Sequence, residues 1–172
     1  MGYGLLHISG KEMKLMALDL LHLSNLDNHA LKLKKIFETA VSLIEQYKPD
    51  ELAIEAPFYG KNIQSMLKLG RAQGVAIAAA LSKNIPVMEY SPKKIKQSIT
   101  GNGNASKEQV AAMLKTLLHF TESPKYLDAT DALAAAVCHY FQTSQKTKLE
   151  NKKSYSGWNA FLTENPDRKI QR

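Results

Sequence analysis

Three carboxylates stand where a divalent metal could use them. Glu55 ends the run Glu51-Leu52-Ala53-Ile54-Glu55-Ala56-Pro57, whose middle predicts a short buried strand bounded by Lys48-Pro49-Asp50 and by Pro57. A carboxylate at the mouth of an apolar strand is costly to bury unless it meets a cation, a metal or a donor. The plainer reading is a solvated strand end. Asp128 and Asp131 lie three apart, on one face of the first turn of a helix predicted over 126–141. Like charges there repel, yet acidic groups favour helix N-termini, and capping alone would account for one of them. Three converging oxygen ligands suit Mg2+, and two such ions about 4 Å apart would activate a water and stabilise the leaving oxygen of a phosphodiester. No His or Cys spacing supports zinc. The five histidines are scattered, and Cys138, with apolar helix neighbours, reads as an inert core thiol.

The elements around these residues follow from hydrophobic periodicity. Gly4–Ser9 and Met13–Leu20, separated by Gly10-Lys11-Glu12, predict a hairpin. Ile36, Phe37, Ala40, Leu43, Ile44 and Tyr47 recur at helical steps over 28–47, with Asp27 or Asn28 as N-cap and Pro49 beyond the end. After the Glu55 strand comes a loop at 58–62, then a helix over 63–81 whose later half is rich in alanine and carries Gly70 and Gly74. Such a small-residue face serves core packing or a homodimer seam equally well. Ile85–Tyr90 predicts a second short strand, and Ser91-Pro92-Lys93-Lys94-Ile95-Lys96 a basic helix start with Pro near N1. Gly101-Asn102-Gly103-Asn104 is a turn, and Ser106-x-x-Gln109 a capping box opening a helix to Leu118. Alternating helices and strands after residue 28 imply an α/β domain with at least two parallel strands, whose reactive groups gather at the strands' carboxyl ends.

With 172 residues, 44% of them hydrophobic and 23% charged, the chain is sized and composed as one globular domain with a real core. No apolar run approaches membrane-spanning length, and a single cysteine fits a reducing cytoplasm; no membrane partner is expected. The net charge of +7 suits a polyanion. It is uneven: residues 144–172 hold net +4 and the other 143 only +3, so 144–172 reads as a basic tail, flexible or lightly docked, on a domain spanning 1–143.

Asp128-Ala129-Thr130-Asp131-Ala132-Leu133-Ala134 resembles the acidic motif of the RuvC family of crossover-junction endodeoxyribonucleases. Leu52-Ala53-Ile54-Glu55, the run Leu67 to Ala76, and Val87-Met88-Glu89-Tyr90 with Ile95-Lys96-Gln97 are similar to the same family in order and spacing, so the likeness covers residues 1 to about 142. The resemblance implies a ribonuclease H-like mixed sheet flanked by helices, a homodimer, and Mg2+-dependent nicking of four-way (Holliday) DNA junctions on two strands in recombination and repair. It implies that Glu55, Asp128 and Asp131 are three of four acidic metal ligands, that Lys96 and Lys107 lie near the scissile phosphate, and that Phe58 stacks on bases at the crossover. A RuvA/RuvB branch-migration complex is a further candidate partner that no residue here selects.

RuvC-like chains open with a central strand bearing the fourth acid. Here Met1-Gly2-Tyr3-Gly4-Leu5 resembles the segment that follows that strand. The expectation is therefore a sheet without its usual first central strand, from a start placed at an internal methionine or in a defective copy. Asp19, at the far end of the hairpin, is no substitute. Two other functions remain beside junction cleavage: an inert DNA-binding protein, and a ribonuclease H-like nuclease with another target.

Overall fold

The computed structural model describes residues 1–57, 62–120, 127–150 and 157–164, with the backbone alone at 127–128, 145–150, 161 and 164. Two units are present, Met1–Phe141 and Gln142–Arg172.

The first unit opens on an antiparallel hairpin of β1 (Gly2–Ser9) and β2 (Glu12–Leu20). Its turn holds Gly10 at φ +60°, a left-handed conformation that glycine adopts without a Cβ penalty. The register steps between Leu5 and Leu6, where Leu5 faces Ala17 and Leu6 faces Leu15. Met16 is the extra residue and is 49% exposed. The bulge moves the inward side chains of β2 from Met13 and Leu15 to Leu18, which explains the weak alternation of this stretch.

Helix α1 (His29–Tyr47) is capped by Asn28, whose Oδ1 accepts from the Ala30 amide at 2.8 Å. Strand β3 (Leu52–Glu55) leads to α2 (Ile63–Ser82), which packs on α1. Strand β4 (Val87–Tyr90) pairs parallel with β3, Leu52 opposite Val87 through Glu55 opposite Tyr90. Helix α3 (Pro92–Thr100) is capped by Ser91 and ends on Gly101 at φ +76°. The predicted capping box is present at α4 (Lys107–Leu118), with Ser106 and Gln109 bonded reciprocally. Helix α5 (Leu127–Glu150) runs past the predicted end at Phe141, and α6 (Trp158–Glu164) follows within the stretch expected as a tail. Strand β4 starts two residues later than predicted, after Pro86, whose carbonyl accepts from Leu52 but which has no N–H for the ladder.

Among the described residues the strands form two separate two-stranded sheets, β1–β2 and β3–β4, with no ladder joining them. One core nonetheless underlies both. Ile95, Ile99, Val110, Leu114, Leu118, Leu133, Val137 and Cys138 are its buried heart, with Leu6, Met13, Leu15 and Leu18 packed on it from the hairpin and Ala53 and Tyr90 from β3–β4. The middle of β3, expected to be buried, is half-buried at Leu52, Ala53 and Ile54. Among the described residues the strand has a hydrogen-bonded neighbour on one edge, β4, and part of its flank stays open to water. No helix among the described residues is long and apolar enough to cross a membrane.

Helix α5 approaches the hairpin closely at one glycine. A Cβ on Gly4 would stand 3.1 Å from Leu133 Cα and 3.2 Å from its Cβ, backbone and branch atoms that cannot swing aside. Gly4→Val should therefore destabilise the chain by about 1–3 kcal/mol, the usual cost of overpacking, despite valine's preference for strands. Urea unfolding monitored by circular dichroism checks this, with Gly10→Ala as a control that meets open space and reports only the left-handed turn.

Candidate active site

Each wall of the site is set by a local rule. Glu55 is the last residue of β3, and parallel pairing brings the end of β4 beside it. The chain leaves β4 through Ser91 directly into α3, so the first turn of that helix, with Pro92, Ile95 and Lys96, lands at the carboxyl edge of the pair. The Ser106 cap starts α4 at Lys107, which places Lys107 and Val110 one turn apart on one face. Helix α5 contributes Asp131 and Ala134 at the same spacing. Glu55, Pro92, Ile95, Lys96, Lys107, Val110, Asp131 and Ala134 line one cleft.

Four of the six residues singled out from the sequence thus meet: Glu55, Asp131, Lys96 and Lys107. Asp128 lies in the first turn of α5 by its backbone, and its side chain is outside the described residues. Phe58 is also outside the described residues. Asp19 pairs across the hairpin with Tyr3, away from the cleft lining, and its carboxylate accepts from the Leu20 amide at 2.7 Å. The apolar wall, Pro92, Ile95, Val110 and Ala134, was not foreseen. Helical spacing carried the signal: Pro92, Val110 and Ala134 lie three or four residues from Lys96, Lys107 and Asp131, and Ile95 lies three from Pro92.

Lys107 Nζ stands 2.5 Å from Asp131 Oδ2, the two side chains 49% and 35% exposed. An ion pair this open contributes at most about 1 kcal/mol to stability. Its value here is positional, since it holds α4 and α5 together at the cleft mouth. Glu55 answers both readings of the sequence: the residue is exposed, and its carboxylate faces two ammoniums and a second acid. Partial desolvation by the cleft wall, then the negative charge of Asp131, raise its pKa above the ordinary glutamate value, while Lys107 and Lys96 pull the other way. Two carboxylates close enough for one to raise the other's proton affinity leave negative charge that a cation offsets. The donors are oxygens alone, with no His or Cys among the cleft residues, which fits a hard divalent ion. Among the described residues no three His, Cys, Asp or Glu side chains form a metal-holding group, and the side chain of Asp128 lies outside those residues.

The raised pKa sets a sign for stability. As pH climbs through the ordinary carboxylate range, the unfolded chain releases the Glu55 proton first and the native chain holds more protons, so stability falls with rising pH through that window. Glu55→Gln removes the cost. The variant should melt higher than the parent at pH 7 in metal-free buffer, with the gap closing toward about pH 4, where the carboxyl is largely protonated in both states. Equal gaps at both pH values, measured by thermal circular dichroism, would contradict the electrostatic origin.

Residues 1–139 match the family model described as Crossover junction endodeoxyribonuclease RuvC. The Crossover junction endodeoxyribonuclease RuvC of Cytophaga hutchinsonii is 64% identical over 168 residues, covering 98% of this chain and 82% of that protein. That of Porphyromonas gingivalis is 55% identical over 170 residues, covering 98% and 90%. Among solved structures, Thermus thermophilus RuvC in complex with Holliday junction substrate superposes with a TM-score of 0.79 at 28% identity, over 85% of this chain and 89% of that one. The expected ribonuclease H-like α/β class is therefore the observed one. With the family model matched across the whole described cleft and relatives more than half identical along nearly the full length, the chain belongs to the RuvC family of crossover junction endodeoxyribonucleases.

Proposed function

We propose that this chain nicks four-way DNA junctions by Mg2+-dependent phosphodiester hydrolysis, as a homodimer acting on two strands. The observation that carries the reading is the meeting of two acids and two lysines, Glu55, Asp131, Lys96 and Lys107, in one cleft of a RuvC-family chain. Relatives bear the name of that enzyme, and one neighbour's structure holds a Holliday junction substrate.

Glu55, Asp131 and Asp128 would hold the metal. Asp131 would use Oδ1, since Oδ2 is engaged by Lys107. Bound there, Mg2+ would make a coordinated water more acidic than bulk water and would supply positive charge for the transition state. The remaining work falls to the chain. Among the four described charged side chains the two acids and two ammoniums cancel, so a divalent ion held with Asp128 as well would leave the site net positive toward phosphate. Lys96 and Lys107 then orient the diester and meet the charge that grows on its non-bridging oxygens. Pro92, Ile95, Val110 and Ala134 keep that wall dry, which strengthens each of these contacts.

A second copy has a fitting surface. Ile63, Leu67, Gly70, Gly74 and Leu81 follow helical spacing along α2, with Ile63 70%, Leu67 53% and Leu81 57% exposed, and a Cβ at either glycine would meet open space. The buried alanines of α2, Ala76, Ala79 and Ala80, lie on its other side. This supports the dimer seam over core packing for that stripe. The basic 144–172 segment would add sequence-independent, salt-sensitive affinity for the junction arms.

An inert junction binder is the alternative reading. A labelled synthetic four-way junction separates the two. The proposal expects paired nicks at symmetric positions in Mg2+ and none in EDTA, with Glu55→Gln and Asp131→Asn each reducing the rate by at least about a hundredfold while junction affinity holds or tightens. Tight junction binding without nicks in Mg2+ or Mn2+ would establish the binder instead. Full activity in Asp131→Asn would assign that residue to pairing with Lys107.

A further inference from the structure

At the opposite end of β3 from the cleft lies a second polar cluster that the proposed chemistry does not use. His139 of α5, its side chain only 12% exposed, has Nε2 at 2.6 Å from Glu51 Oε2 and Nδ1 at 2.8 Å from Tyr90 Oη. One tautomer satisfies both bonds: Tyr90 O–H donates to Nδ1, and Nε2–H donates to the carboxylate. Burial, then the Cys138 thiol and the Glu51 carboxylate, push the Tyr90 hydroxyl's pKa up, so it remains a donor at neutral pH.

The placement of these residues matters. Glu51 is four residues before Glu55 along an extended strand, about 13 Å. His139 is eight residues after Asp131 along a helix, about 12 Å. Helix and strand therefore run in opposite directions with two matched rungs, Asp131 by Glu55 at one end and His139 by Glu51 at the other. Tyr90 is the register partner of Glu55, and its side chain reaches back to His139, which ties β4 to the same rung. Between the rungs, α5 presents Ala134 and Ala135 to the core beside Leu133, Val137 and Cys138. Apolar packing of this kind is not directional, whereas hydrogen bonds to a nearly buried imidazole do not stretch without cost.

We infer that His139, held by Glu51 and Tyr90, is a positioning residue that fixes the axial register of α5 on β3–β4 and so the spacing of Glu55 and Asp131. The inference rests on the metal-site reading given under Proposed function. It assigns a role to a histidine and a tyrosine outside the cleft, and it makes Glu51, a solvent-edge glutamate, matter to chemistry four residues away.

The test uses the full chain with Mn2+ as probe, its affinity read by electron spin resonance without DNA, beside single-turnover junction cleavage and junction affinity in EDTA. Glu51 is 46% exposed, so Glu51→Ala cuts one rung bond with little risk to folding, and Tyr90→Phe cuts the other without changing shape. Both should weaken Mn2+ binding about fivefold and slow cleavage at saturating junction about tenfold or more, since displacements near 1 Å can cost a hundredfold. Junction affinity in EDTA should stay within about twofold. Glu51→Gln keeps an acceptor for Nε2–H and should behave as the parent. Mn2+ affinity within twofold of the parent in both Glu51→Ala and Tyr90→Phe would overturn the inference, whatever their melting temperatures. Equal losses in Glu51→Gln and Glu51→Ala would also overturn it, by showing a charge effect. A parent chain that binds no Mn2+ would overturn the metal site and this inference together, an outcome distinct from failure of the variants alone.

Discussion

Among the described residues, helix α5 has to serve two sheets with no ladder joining them. Its fully buried side chains, Leu133, Val137 and Cys138, belong to the same core on which the hairpin and the β3–β4 pair both rest. Backbone ladders are directional and hold strands at a fixed spacing, whereas apolar packing is not directional. With the ladder in two parts, the spatial relation between hairpin, β3–β4 and α5 depends on shape: Gly4 admitting Leu133, the alanines admitting close approach, and a few polar bonds setting position along the helix.

That arrangement explains why the cleft lies where it does. The carboxyl ends of β3 and β4 open on the first turns of α3, α4 and α5, so charged residues from four elements converge without any being buried whole. Complete burial of Glu55 or Asp131 would cost several kcal/mol and would drive protonation. Partial exposure with Lys96 and Lys107 alongside leaves room for a phosphate. The same helix carries an acid at one end of β3 and the His139 cluster at the other, so the packing that makes the core also sets the reach between the acids.

Both carboxylates found in the cleft were legible from residue type and position alone. Glu55 was an acid at the end of an apolar strand, and Asp131 an acid one turn from another at a helix start. The hairpin with its Gly10 turn, a cap at Asp27 or Asn28 (the structure uses Asn28) and the Ser106–Gln109 box were equally legible, because each is decided by atoms within a few residues. The half-buried state of Leu52, Ala53 and Ile54 was not. A short apolar run specifies a preference for burial, and what covers it is decided by neighbours far along the chain. The continuation of α5 beyond Phe141 was missed for a related reason: Gln142 to Glu150 is polar, with good helix formers, and such a stretch has no apolar periodicity to announce it.

The sequence by itself determined the local conformations, the acids and bases that could do chemistry, and the likeness to a nuclease family. Only the tertiary structure decided which of these residues meet. Lys107 and Asp131 are 24 positions apart, and Glu51 and His139 are 88 apart. Local rules act through torsions and hydrogen bonds within about four residues. Contacts across such separations depend on how helices of given length seat on strands of given length, a property of packed volumes that no short stretch of the chain contains.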